Sequence, residues 1–218
     1  MKNIFNLLEN LIGQVEGPDG PTTVFGFTKL DNLQQNHCET VETFSHEKNE
    51  IILKPLEGME WNGNYVPLGC SKEKVAEVFG KAQVVGNSSY YFQNELRFDF
   101  DKKGRLEFIE FLGGMEGLLK PMIYDISAFE HGASEVEQIL REKNAGEVDK
   151  SEGEYSASFL NISVGVYREI IPSDVLEMEE EMKADGIPTE GNEDLENDRK
   201  RANHWGTIGI GVAGYYRK

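Results

Sequence analysis

Apolar and polar positions alternate most regularly in NELRFDFDKKGRLEFIEF, residues 94–111. Leu96, Phe98 and Phe100 fall on one side of an extended chain, and Arg97, Asp99 and Asp101 on the other. With YYFQ ahead of it and RLEFIEF closing it, this run predicts a half-buried antiparallel meander whose phenylalanines point inward and whose acids point to solvent. VVGNSS, just before, reads as a loop. Upstream the period lengthens: Val75, Val78 and Phe79 share one helical face, Ser71 can cap its start, Glu73 suits its first turn, and Gly80 can end it.

The same order recurs downstream. Val136, Ile139 and Leu140 repeat that apolar spacing behind Ser134 and Glu137, which form an S-x-x-E capping box. YSASFLNISVGVYREI then reads as two strands, and WGTIGIGVAGYY, with Ile208, Ile210 and Val212 alternating, as a third. Between the second and third strands lies an insertion. Its first part, SDVLEMEEEMKA, predicts a helix capped at Asp174 with Glu177 that buries Val175, Met178 and Met182. DGIPTEGNEDLEND, after it, reads as a mobile loop.

At the N-terminal end, Ile4, Phe5, Leu8, Leu11 and Ile12 make one amphipathic helix, and Leu30, Leu33, His37, Val41 and Phe44 a second. GPDGPTT and TVFGF between them read as a turn and a short strand, and EIILKPLEGMEWNGNYVPLG as a strand, a Pro/Gly loop and one further extended piece. The expected class is α+β: helices packed on antiparallel sheet, in two helix-plus-meander repeat units with N-terminal helices. The expected divisions are 1–60, 61–115 and 116–218, the last carrying the acidic insertion 172–204.

Composition sharpens this picture in one place. The chain has 218 residues, 12 Phe and 8 Tyr, enough for a real core, and a net charge of -17 from 39 acidic and 22 basic residues. Residues 174–198 hold eleven acids and one cation, Lys183, and so carry -10 of that -17. So acidic a chain argues against nucleic-acid binding and for a basic protein partner. No apolar run is long enough for a membrane span, and MKNIFNLLENLIGQ is too polar for a signal peptide, so a cytoplasmic location without membrane contact is expected. Cys38 and Cys70 suit a reducing compartment and supply neither a disulfide framework nor a metal site; PLGC, ending at Cys70, lies too far inside the chain for a lipoprotein cleavage box.

Candidate chemistry is thin. Asp99, Asp101, Gly104 and Glu110 have part of the spacing of a calcium loop, but Lys103 stands where an oxygen ligand belongs, so Lys102–Gly104 reads as a hairpin turn. Gly209, Gly211 and Gly214 match dinucleotide-fingerprint spacing without a following helix, and His37 beside Cys38 is no preformed dyad, because helical neighbours point about 100° apart. His46, His131 and His204 stand beside no patterned nucleophile. No catalytic residue, cofactor or metal is assigned. The candidate partner-binding residues are the acids Glu177, Glu180, Glu181, Asp185, Glu193 and Asp194 and the aromatics Trp61, Trp205, Tyr215 and Tyr216.

LGCSKEKVAEVFG followed by YYF, LRFDFD and GRLEFIEF resembles the repeat unit of the β-lactamase-inhibitor-protein-like fold. It is also similar to small outer-membrane assembly lipoproteins of that group, through Gly69, Ser71, Val75, Gly80, Gly104 and the Phe-rich strands of residues 65–112. Without a signal peptide or lipidation cysteine, a cytosolic, acidic, two-unit bacterial version looks like an immunity protein. That resemblance implies a non-catalytic protein whose acidic surface covers a basic toxin. A small-molecule binder or enzyme with a cavity between sheet and helices, and a module of a larger assembly, are the other two expectations.

Overall fold

The computed structural model describes the backbone of two strands near the N-terminus and residues 50–217. The chain divides into two compact units, Met1–Glu42 and Thr43–Lys218. In the first, β1 (Val15–Gly17) and β2 (Gly20–Thr22) pair antiparallel, β2 lying within the segment GPDGPTT read as a turn. The two N-terminal helices, the strand TVFGF, His37, Cys38 and His46 lie outside the described residues.

The second unit is α+β. Its smaller sheet holds β3 (Glu50–Lys54), β4 (Gly58–Trp61) and β5 (Asn64–Pro67) as a meander, with β10 (Lys120–Ile123) and β11 (Ile126–Ser127) added beside β3. β10 runs parallel to β3, a pairing the period-two pattern gives no means of seeing. EWNGNY, expected as part of one extended piece, is a two-residue hairpin: Asn62 and Gly63 take φ of 49° and 75°, the left-handed pair such a turn demands.

The larger sheet has eight antiparallel strands in the order β12-β13-β14-β15-β9-β8-β7-β6. They are β6 (Gln83–Val85), β7 (Ser88–Tyr91), β8 (Leu96–Phe100), β9 (Leu106–Phe111), β12 (Val148–Asp149), β13 (Ser156–Phe159), β14 (Val164–Tyr167) and β15 (Thr207–Gly211). VVGNSS is therefore a strand and hairpin rather than a loop, with Val85 opposite Ser88. Strands of both expected repeat units meet at β15–β9, and one hydrophobic core takes residues from both, among them Val75, Phe98, Ile109, Val136, Leu140, Phe159 and Ile208.

Two helices with matching sequence signals start in different ways. In α1 (Lys72–Phe79), the Ser71 hydroxyl accepts the Lys74 N–H at 3.4 Å, Val75 is buried and Gly80 closes the helix at φ 75°, all as expected. In α2 (Ala133–Asn144), the capping box does not form. The helix starts from Gly132, two residues ahead of the proposed box, so Ser134 is already inside the helix, and Glu137 instead binds Arg141 and Lys150. Two cations on the carboxylate outweigh a backbone cap.

The opening hairpin is real, and its acids are not free. Gly104 turns at φ 74°, while the Asp101 carboxylate accepts the backbone N–H groups of Lys103 and Arg105. Asp99 binds Arg97 in two-pronged fashion and accepts the Ser88 hydroxyl at 2.5 Å. A register shift after Asp99 leaves Glu107 without a partner across the ladder. This bulge lets Leu106 and Ile109 both face the core and turns Phe108 outward, against the expectation that every phenylalanine points in.

Candidate functional site

The acidic insertion is a helical hairpin. α3 (Pro172–Ala184) begins with proline at its first position, where no N–H is needed. Asp174 is not its cap. Sitting two residues farther in, its carboxylate accepts the Ile171 N–H at 2.9 Å and the Tyr155 hydroxyl at 2.8 Å. The segment expected to be a mobile loop contains α4 (Glu193–Ala202), capped by the Asn192 side chain on the Leu195 N–H at 3.0 Å. Glu193, Asp194 and Glu196 crowd its first turn and Arg199, Lys200 and Arg201 its last, matching the helix dipole at both ends. Val175, Leu195 and Ala202 form a small core with Ile170, Met178 and Met182 packed around it. Glu179 accepts Lys183 within α3 at 2.7 Å and Arg199 across from α4 at 2.6 Å, and these bonds hold its carboxyl below the usual range.

The hairpin is fastened at its root by two residues. Trp205, one of the candidate partner-binding aromatics, is 1% exposed and so belongs to the core, with Nε1–H donating to the Ala133 carbonyl at 3.0 Å; the Ala133 N–H donates in turn to the Asn203 carbonyl at 2.8 Å. Arg168 lies over the Trp205 ring at 5.0 Å and donates to the carbonyls of Ala202, at 2.5 Å, and Glu154, at 3.1 Å. Burial lowers its pKa, yet a guanidinium stays charged, so Arg168 meets the negative end of α4 as a cation. No sequence signal marked Arg168; a lone arginine leaving a strand has no period to stand out from.

This packing sorts the acids of the insertion. Asp174, Glu179 and Glu196 bond to neighbours within the fold. Glu177, Glu180, Glu181, Asp185, Glu193 and Asp194 are all exposed and make no ion pair among the described residues. The four aromatics are not gathered beside them. Trp61 stacks on Phe79 at 5.0 Å in a ring cluster with Phe92, whereas Tyr215 and Tyr216 lie over Phe108 on the outer face of the large sheet.

Beside the hairpin runs an open groove of about 530 Å³, bounded by α3, α4, the end of β14 and the turn after β9. Glu95 sets that turn. Its carboxylate accepts the N–H groups of Leu118 and Leu119 at 2.7 and 3.0 Å, in a space where a side chain on Gly113 or Gly117 would strike it. Leu112, Met115 and Tyr167 are exposed along the groove, and Glu116 faces Arg201 at 3.6 Å across it. A second groove of about 410 Å³ shares Gly114–Glu116 and continues past Leu118.

A second polar cluster sits on the outer face of the large sheet. Arg97 joins Asp99 at 2.7 Å and Glu110 at 2.9 Å. Two of the dinucleotide-spaced glycines serve packing here, since a Cβ on Gly209 would meet the Phe108 ring and one on Gly211 would lie 2.6 Å from the Tyr215 Cβ, while Gly214 turns the chain at φ 81°. Burial raises the Glu110 carboxyl pKa, Arg97 opposes this, and Asp99 adds to it. The folded state therefore holds this proton more tightly than the unfolded chain does. The associated stability is complete below the ordinary glutamate pKa and is lost as pH rises through the folded value. Glu110→Gln should thus gain stability relative to the parent as pH rises above the ordinary glutamate range, read in urea melts at a series of pH values. A difference that does not change with pH would show that Arg97 fully compensates the buried charge.

Among the described residues no group of three or more His, Cys, Asp or Glu is placed to hold a metal ion, and no helix is long and apolar enough to cross a membrane. Comparison of the chain with protein families, curated proteins and solved structures found no match.

Proposed function

We propose that this chain is a non-catalytic, cytoplasmic protein-binding protein of the immunity type, which neutralises a basic toxin by covering its cationic site. The observation that supports this reading is the sorting of the insertion's acids. Six carboxylates project from a helical hairpin held at its root by other residues, and none of the six is neutralised by an ion pair among the described residues. Like charges this dense repel one another in the free protein, and a basic partner relieves that repulsion while being steered toward the hairpin. A nuclease toxin suits such a surface, because acidic side chains can occupy positions its site keeps for phosphates.

Co-expression with a basic toxin encoded beside this chain is the direct test. The parent should restore growth, and the triple variant Glu177→Gln, Glu180→Gln, Glu181→Gln should protect poorly while remaining folded. Its association rate should fall at least about tenfold at low salt and approach the parent's at high salt. Equal protection by parent and variant would overturn the reading.

A further inference from the structure

We infer that the groove beside the helical hairpin receives an arginine side chain of the partner protein. This assignment rests on the protein-binding reading above and specifies how that partner is anchored. The lining holds four carboxylates, Glu116, Glu169, Asp174 and Asp198, of which Asp174 is already bonded to the Tyr155 hydroxyl and the Ile171 N–H, beside Arg168, Arg201 and His204. Glu169 and Asp198 make no ion pair among the described residues, and Glu116 has only the loose 3.6 Å approach of Arg201, with both side chains more than half exposed. The other resident cation, Arg168, is committed to the Ala202 and Glu154 carbonyls and to the Trp205 ring. Four carboxylates against two guanidiniums leave the lining net negative, so the groove favours a cation over an anion.

The apolar part of the lining chooses among cations. Tyr167, 40% exposed, offers a ring face, and Met115 and Met178 offer thioether surface that can follow an aliphatic stem. A guanidinium is flat, weakly hydrated and forked, so it can stack on a ring while donating to carboxylates on different walls. An ammonium is compact and strongly hydrated, and gains less from such a lining. Arg201 at Glu116 holds in weak form the contact that the incoming arginine would make in full.

The experiment uses the whole protein with labelled methionine methyl groups and four short peptides, acetyl-Leu-Xaa-Leu-amide, in which Xaa is arginine, lysine, citrulline or glutamate. The arginine peptide should give saturable shifts at the Met115 and Met178 methyls with a millimolar Kd, as befits one isolated side chain. Lysine should bind about tenfold more weakly, and neutral citrulline and glutamate should not saturate. Glu169→Gln and Asp198→Asn, changes at positions with no ion-pair role in the fold, should each weaken the arginine peptide about tenfold. Absence of saturable shifts with arginine, equal binding of citrulline, or indifference to both substitutions would overturn the assignment. If the peptides fail while the hairpin variants still lose protection, the groove assignment falls and the protein-binding reading stands. If the hairpin variants protect fully while arginine still saturates the groove, the toxin-covering reading falls and only the groove's selectivity for an arginine side chain stands.

Discussion

Replacing Gly165 by alanine should destabilise the protein by about 2–3 kcal/mol, and should cost under about 1 kcal/mol once Tyr216 has also been replaced by alanine. Gly165 is buried in β14, and a Cβ built there would lie 2.5 Å from Cζ of Tyr216, far inside contact distance. The three nearest atoms all belong to that side chain. Gly165 has no left-handed φ, and in a strand alanine is otherwise a better residue than glycine. Tyr216→Ala alone should cost about 3 kcal/mol, because the tyrosine presses its hydroxyl end into the glycine slot, where burial pushes its pKa well up. Urea melts of the two single variants and the double variant give the coupling directly. Simple additivity would mean that Tyr216 does not occupy the slot in solution.

Trp205→Ala should be the most damaging single change in the molecule, at about 4 kcal/mol. It would open a large cavity, leave the Ala133 carbonyl without its indole donor, and remove the ring beneath Arg168. A loss of that size lowers Tm by about 8–16 °C in a chain of this length. Trp205→Phe keeps most of the buried area and gives up the hydrogen bond, so about 1–2 kcal/mol is expected. Both variants should also loosen the root of the α3–α4 hairpin, seen as faster amide exchange in α4 than in α2. Unchanged exchange in α4 would show that the hairpin's own small core suffices to hold it.

The sequence signals that succeeded were those with a local period and a local stop. Ser71, Val75 and Gly80 define α1 from within a dozen residues, and the alternation of Leu96, Phe98 and Phe100 defines β8. The failures share a different cause: a partner distant in the chain decided the outcome. Trp205 reads as a partner-binding candidate because neither Ala133 nor Arg168 stands near it in sequence. The turn set by Glu95 was invisible because its N–H donors come from Leu118 and Leu119. The loop expected at DGIPTEGNEDLEND failed for another reason. Its acids looked like disorder, but three of them occupy the first turn of α4, where the helix dipole rewards negative charge, and Leu195 and Ala202 supply the buried side. The groove likewise depended on four segments that only the fold brings together.

The place of β15 between β14 and β9 governs how this molecule can be made. It is the final strand of the described chain, yet it occupies the middle of the eight-stranded sheet. During synthesis the β6–β9 meander must therefore wait with the edge of β9 unpaired until residues 207–211 emerge, and β12–β14 wait in the same way on the other side. An unpaired edge rich in phenylalanine and isoleucine invites association between nascent chains, the more so because pairing over long sequence separation is slow. The α3–α4 hairpin, inserted just before β15, can close on its own small core and so shorten the loop that β15 must span to reach its slot.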